Sequence, residues 1–267
     1  MTQATHTRLY WNPDIGLRPG DTPRTGLLAA DSWLVTDGAA RAVERHRDRF
    51  ARACVAAGVS RLTTECFWEE ALAAIPPHGD WFPRAELRTD GRLAFLLRAA
   101  PPRGTGLRVL VWPGPDPRTR PRVKGPDLER LAGVRQGAVR AGADEALLCT
   151  GSDLLVESTT SALLWWEGDT LCLPSQRLRV LPSVTAALLV ERARELGIRV
   201  RQRHARPQTL DERETWLVNA LHGIRTVTEW TGSSLRPGAA ERAPAWRAHL
   251  ESLRLPLTGR SGPHAPR

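Results

Sequence analysis

The sequence predicts an α+β protein of two domains. Three observations carry that reading. Short apolar runs separated by Asp-Gly pairs fill the first third, a pattern of strands joined by tight turns. Gly114–Pro126 then places six prolines and glycines among charged residues, which marks a break between compact units. Beyond it, helix-period segments ending in glycine alternate with apolar strands. The expected organisation is a small α+β domain over residues 1–113, a linker over 114–126, a larger α/β domain over 127–255 and a disordered Pro/Gly/Ser tail over 256–267.

Taken in order, LLAADSWLVTDGAARAV reads as a hairpin turning at Asp37-Gly38. From Arg45 to Ala57, Phe50, Ala53, Cys54 and Ala57 recur at helical spacing, and Gly58 ends the run. A second helix is expected over Phe67–Ala74, then a hairpin, WFPRAELRTDGRLAFLLRAA, turning at Asp90-Gly91, then the strand RVLVWPG. The second domain opens with a helix over Asp127–Ala141, with Asp127 as its cap and Gly142 as its stop. Strands ALLCT, LLVES, ALLWW and TLCLPS follow, then a helix over Val184–Leu196 closed by Gly197. RVRQRHA, TWLVNA and IRTVTEW are further strands, and Pro244–Leu253 is a last amphipathic helix.

Composition limits the function. The 267 residues are 41% hydrophobic and include ten Trp, enough for a substantial core. No run approaches the roughly 18 to 20 uncharged apolar residues of a membrane span, and the start lacks the basic-then-apolar order of a secretory signal. A soluble cytoplasmic protein without membrane partners is expected. Cys54, Cys66, Cys149 and Cys172 form no C-x-x-C pair, so they are expected as reduced core residues and no metal is expected. The net charge of +9 comes from arginines interspersed with acids, as in ERHRDRF and ERARELG. That distribution makes no basic stripe for nucleic acid.

Lysine occurs once, at Lys124 in PRVKGPD, although Lys and Arg together number 38. A guanidinium stays protonated, whereas an ε-amine can lose its proton and attack a carbonyl. On the residues alone two readings stay open: a survivor of biased coding, or a position that requires an amine.

Lys124, followed by GADEALLCTGSDLLVESTTSALLWW, VLPSVTAALLVERARELGIRV and WLVNALHGIRTV, resembles the class IV aminotransferase family. These are the fold-type-IV pyridoxal-phosphate enzymes that include branched-chain and D-amino-acid aminotransferases and aminodeoxychorismate lyase. The resemblance covers roughly residues 25–230. It implies a D-amino-acid-aminotransferase-like fold with the active site between two domains, pyridoxal 5′-phosphate as cofactor, amine and keto-acid substrates, and a homodimer. Lys124 matches the Schiff-base lysine, and Glu157 the glutamate that pairs with the pyridine nitrogen and strengthens the ring as an electron sink. Val184 and Thr185 match the residues that hold the phosphate at a helix start. Arg49, with His46 in an H-x-x-R pattern, matches the arginine that reaches the same phosphate. Trp33, Asn219, Ala220 and Leu221 are expected to border the substrate.

Three segments depart from the family pattern. L-P-G becomes Leu181-Pro182-Ser183, the strand asparagine becomes Ala162, and G-D-G-x-F-E-T becomes Ala30-Asp31-Ser32-Trp33-Leu34-Val35-Thr36. An aminotransferase is the leading expectation. A lyase that releases pyruvate from aminodeoxychorismate is the alternative, which Asn219-Ala220-Leu221 and the Leu-Trp-Trp strand favour. A catalytically silent binding protein is the third, permitted by the altered first-domain segment.

Overall fold

The computed structural model describes residues 6–20 and 25–257. Two compact units emerge, Met1–Pro101 with Leu253–Arg267, and Pro102–Ser252.

In the first unit, β1 (His6–Asn12), β2 (Gly16–Pro19), β3 (Leu27–Ser32), β4 (Val35–Thr36) and β5 (Ala39–Arg41) precede helices α1 (Val43–Ala56) and α2 (Arg61–Ala73). Then come β6 (Asp80–Trp81), β7 (Arg84–Arg88) and β8 (Leu93–Arg98). An antiparallel sheet runs β2-β1-β8-β7-β3. Asp37 and Gly38 both have positive φ, 46° and 73°, as a two-residue type I′ turn requires. That turn joins β4 to β5, while the apolar run of β3 pairs with β7; the expected 27–43 hairpin is therefore shorter than the sequence suggests. Helix α2 begins at Arg61, six residues before its expected start, because the Ser60 Oγ accepts the Thr63 N–H at 3.0 Å and caps it. The core is aromatic: Trp33 lies 4.5 Å from Trp68, with Phe50, Phe67 and Phe95 around them.

The second unit contains β9 (Gly106–Val111), α3 (Leu128–Arg140), β10 (Glu145–Cys149), β11 (Leu155–Ser158), β12 (Ala162–Glu167), β13 (Thr170–Pro174) and α4 (Val184–Glu195). It continues through β14 (Arg199–Arg203), β15 (Thr215–Asn219), β16 (Gly223–Trp230) and α5 (Ala243–Ser252), and the chain then returns to the first unit as β17 (Arg254–Pro256), which pairs with β5. Six strands run β11-β10-β9-β16-β15-β12, and pairing of Glu157 with Ala162 closes them into a barrel. Leu107, Leu147, Leu155, Leu163, Leu217 and Val227, from all six strands, pack together as its interior. On the other face, Val134 and Ala138 of α3 cover Ala146, Leu148 and Val156.

Several expectations are corrected here. The boundary falls at Pro101–Pro102 rather than after residue 113, because β9 pairs in parallel with both β10 and β16 and so belongs to the barrel. Residues 114–126 are consequently a loop inside the second unit, not a linker between units. Pro256 ends β17 and Leu257 is buried, its N–H bonded to the Gly38 carbonyl at 2.9 Å; the rest of the expected tail, 258–267, lies outside the described residues. Cys66 is exposed on α2 while the other three cysteines are buried. Among the described residues no helix is long and apolar enough to cross a membrane.

Candidate active site

Lys124 sits half-buried in the loop between β9 and α3. Asp127 ties that loop. Its Oδ1 accepts the Thr119 N–H and hydroxyl at 3.0 and 2.9 Å, and its Oδ2 accepts the Arg120 N–H at 2.8 Å. Asp127 therefore occupies the N-cap position of α3 without capping it, a correction to the expected role. Although burial opposes ionisation, these donors hold the Asp127 carboxyl below its usual range. Gly125, with φ 129°, allows the chain to turn directly after the lysine.

The same loop is bonded to the segment that leads into α4. Arg118 donates to the Arg179 carbonyl at 2.8 Å, Arg179 to the Thr119 carbonyl at 3.1 Å, and Arg122 to the Gln176 carbonyl at 2.9 Å. Arg118 also forms an ion pair with Glu157 through NH1 and is held by Asp116 at 2.9 and 2.8 Å. Glu157 is 5% exposed. Its Oε1 takes both Arg118 and the Leu181 N–H, the latter at 3.1 Å, while Oε2 accepts no hydrogen bond among the described residues. Leu181 lies three residues before Val184, the first residue of α4. The loop that carries Lys124, Glu157 and the segment that leads into α4 are thus joined by one hydrogen-bonded network in one unit.

At that helix start the N–H groups of Val184 and Thr185 have no acceptor within the helix and carry partial positive charge. Ser183, where the family pattern has glycine, is the N-cap: its Oγ accepts the Ala186 N–H at 3.2 Å. The added side chain thereby bonds the third amide rather than the first two. Thr185 is buried.

In the first unit Arg49 is held edge-on by Asp31, at 2.7 Å from Nε and 2.8 Å from NH2, and His46 Nδ1 lies 2.8 Å from the same carboxylate. Burial opposes ionisation of Asp31, but Arg49 and His46 outweigh it and hold the carboxyl well below the usual range. Trp33, expected beside the substrate, is 0% exposed and packed on Trp68; it is a core residue. Asn219 directs its amide to Ser161 Oγ at 3.0 Å and accepts the His222 N–H at 2.8 Å, so its side chain serves the protein. Ala220 is half-buried and Leu221 buried. Arg118 escaped the sequence reading because one arginine among so many carries no distinguishing signal. A separate cavity of about 630 Å³, lined by Trp112, Cys149, Asp153, Arg206 and Leu235, contains none of the expected cofactor residues.

The profile of the Amino-transferase class IV family matches residues 28–230. The chain belongs to that family. Class IV aminotransferases are pyridoxal-phosphate enzymes, so the cofactor expected from the sequence is the family's. By sequence, no curated protein matches. Among solved structures, a hypothetical aminotransferase from Mycobacterium tuberculosis in its pyridoxal-phosphate-bound form has 17% identity and a TM-score of 0.75, over 93% of this chain and 98% of that one. The branched-chain amino acid aminotransferase from Escherichia coli has 14% identity and a TM-score of 0.76, over 97% of each chain. A candidate 4-amino-4-deoxychorismate lyase from Legionella pneumophila has 15% identity and a TM-score of 0.74, over 88% and 96%. At these identities the likeness is one of fold.

The residues of the second unit fit the cofactor. An amine, a buried carboxylate with one oxygen unused and a helix start with its first amides available match, in turn, an aldehyde, a ring nitrogen and a phosphate.

Proposed function

We propose that this class IV enzyme exchanges an amino group between a small amine and a keto acid, with Lys124 as its catalytic amine. The observation that carries this is the placement of the sole lysine in a loop bonded both to Glu157 and to the approach to α4. When bound, pyridoxal phosphate supplies a carbonyl for amines and an electron sink. The protein supplies the rest. Lys124 would hold the cofactor through its Nζ, and the same amine would serve as the base that moves the proton at the substrate α-carbon. Glu157 offers Oε2 to the ring N–H while Arg118 and the Leu181 N–H fix its other oxygen. Val184 and Thr185 donate to the phosphate, and Arg49, oriented by Asp31, is proposed as the cation for that dianion.

The test is reduction with borohydride after loading with pyridoxal phosphate, followed by peptide mapping. Parent protein should lose its visible band and carry the label at Lys124; protein that takes up no cofactor would refute the reading. Arg49→Ala and Thr185→Ala should each weaken cofactor binding by about 1.5 to 3 kcal/mol, the range for hydrogen bonds to charged groups, as read by titration. The second reading, an aminodeoxychorismate lyase, is supported by Asn219-Ala220-Leu221 and by the Legionella likeness in fold; pyruvate release from aminodeoxychorismate without amino transfer would select it. A homodimer in the cytoplasm is part of the proposal, and sedimentation of the purified protein as a monomer would remove that part.

A further inference from the structure

We propose that Glu145 is a positioning residue that holds the turn after Glu157 and the turn Asn219–His222 together as one body at an end of the barrel. This rests on the reading that Glu157 meets the cofactor ring. Strand alternation places Glu145 on the same face as Leu147, Ser161 as Leu163, Asn219 as Leu217 and Arg225 as Val227, all lining the barrel interior. The interior thus changes from apolar to polar at this end.

Glu145 is 0% exposed. Its carboxylate accepts the hydroxyls of Thr159 and Thr160 and the Ala146 N–H at 3.2 Å, and it pairs with Arg225 NH2 at 3.5 Å. A buried carboxylate without such partners costs several kcal/mol, so the donors are not free to leave one at a time. They come from different elements. Thr159 and Thr160 belong to the turn that follows β11, the strand of Glu157, whereas Arg225, 6% exposed, is on β16.

Ser161 joins the two. Its Oγ accepts from Arg225 NH2 at 3.3 Å and from Asn219 Nδ2 at 3.0 Å, and Asn219 in turn accepts the His222 N–H at 2.8 Å. The run Ser158-Thr159-Thr160-Ser161 is therefore fully used, since Ser158 Oγ also donates to the Ser161 carbonyl at 3.2 Å and accepts its N–H at 3.0 Å. Moving either turn breaks hydrogen bonds to the other through Glu145 and Ser161.

The experiment compares the parent with a Thr159→Val/Thr160→Val variant, which keeps shape and removes both donors, and with Thr159→Ser/Thr160→Ser, which restores them. Amide hydrogen exchange is followed on cofactor-free and cofactor-loaded protein. In the Val variant, exchange over 158–161 and over 219–223 should rise together by about tenfold or more, with α4 unchanged, and the Ser variant should return to parent rates. With cofactor loaded, the pH midpoint of the visible band should move in the Val variant and not in the Ser variant. If the Val variant does not fold, Ser161→Ala, which removes the acceptor shared by Arg225 and Asn219 together with the 3.3 Å contact to the Thr160 hydroxyl, should raise exchange over 219–223. A response confined to 158–161 in the Val variant, a uniform rise throughout the chain, or parent rates over 219–223 in Ser161→Ala would overturn the inference. A colourless parent would refute the enzyme reading while leaving the exchange result to stand, so the two failures are distinguishable.

Discussion

Arg118 brings a second charge to Glu157 and takes its orientation from Asp116. Both acids depend on that one guanidinium, and Arg118 itself is buried. Breaking a buried pair by removing one partner costs more than the pair contributes, because the remaining charge stays desolvated. Arg118→Met is therefore expected to destabilise the protein by about 3 to 5 kcal/mol in denaturant unfolding and to weaken cofactor uptake. Unaltered stability would show that Glu157 holds its place without Arg118. His222 gives a pH effect with a definite sign. Burial first, then Arg225, Arg135 and Arg103, bring its pKa from 6.5 down to about 4. Below pH 6.5 the unfolded chain takes up a proton that the folded imidazole refuses until about 4. Its contribution is complete above 6.5 and declines as pH falls through that window. Solvent screening of this half-buried ring reduces the size of the effect but not its direction. His222→Gln should flatten the stability curve between pH 6.5 and 4, measured by thermal unfolding; an unchanged slope would count against the cation cluster.

At the scale of elements, α4 tests what the family's lost glycine means. If Ser183 acts as an N-cap, Ser183→Ala should cost about 1 kcal/mol and Ser183→Gly only a few tenths, read from equilibrium unfolding. Equal losses would assign the serine another role. Helices were the most legible part of the sequence, because α1, α3 and α4 stop at Gly58, Gly142 and Gly197, whose φ values of 90°, 89° and 70° suit few other residues. The Asp-Gly turns were legible for the same local reason. The start of α2 was not, since Thr63, Thr64 and Cys66 are modest helix formers and the cap at Ser60 decides the matter. Barrel closure was also invisible: β9 pairs with β16, more than a hundred residues away, and no local pattern encodes such a partner.

For the whole molecule, the domain boundary illustrates the same limit. The Pro/Gly run at 114–126 is irregular yet lies within the second unit, because punctuation in sequence marks a loop without saying which unit the loop serves. The chain's return as β17 was likewise unreadable, yet it has a consequence. Deleting residues after Ser252 removes the pairing of β17 with β5 and buried Leu257 from the first unit. Such a deletion should raise amide exchange in β4 and β5 while sparing the barrel; the reverse pattern would contradict the assignment of β17. Of the candidate residues, Lys124, Glu157, Val184 and Thr185 are proposed from their order along the chain, whereas Arg118 and Glu145 act through contacts distant in sequence that only the fold supplies. The claim on which everything else depends is that Lys124 is the catalytic amine, and Lys124→Arg tests it most directly, because it keeps the charge and removes the nucleophile. As a surface change it would alter stability by no more than about 0.5 kcal/mol and leave the protein otherwise normal. As the catalytic change it should leave a folded protein with no visible cofactor band, no borohydride label and no amino transfer, whereas retained turnover would contradict the assignment.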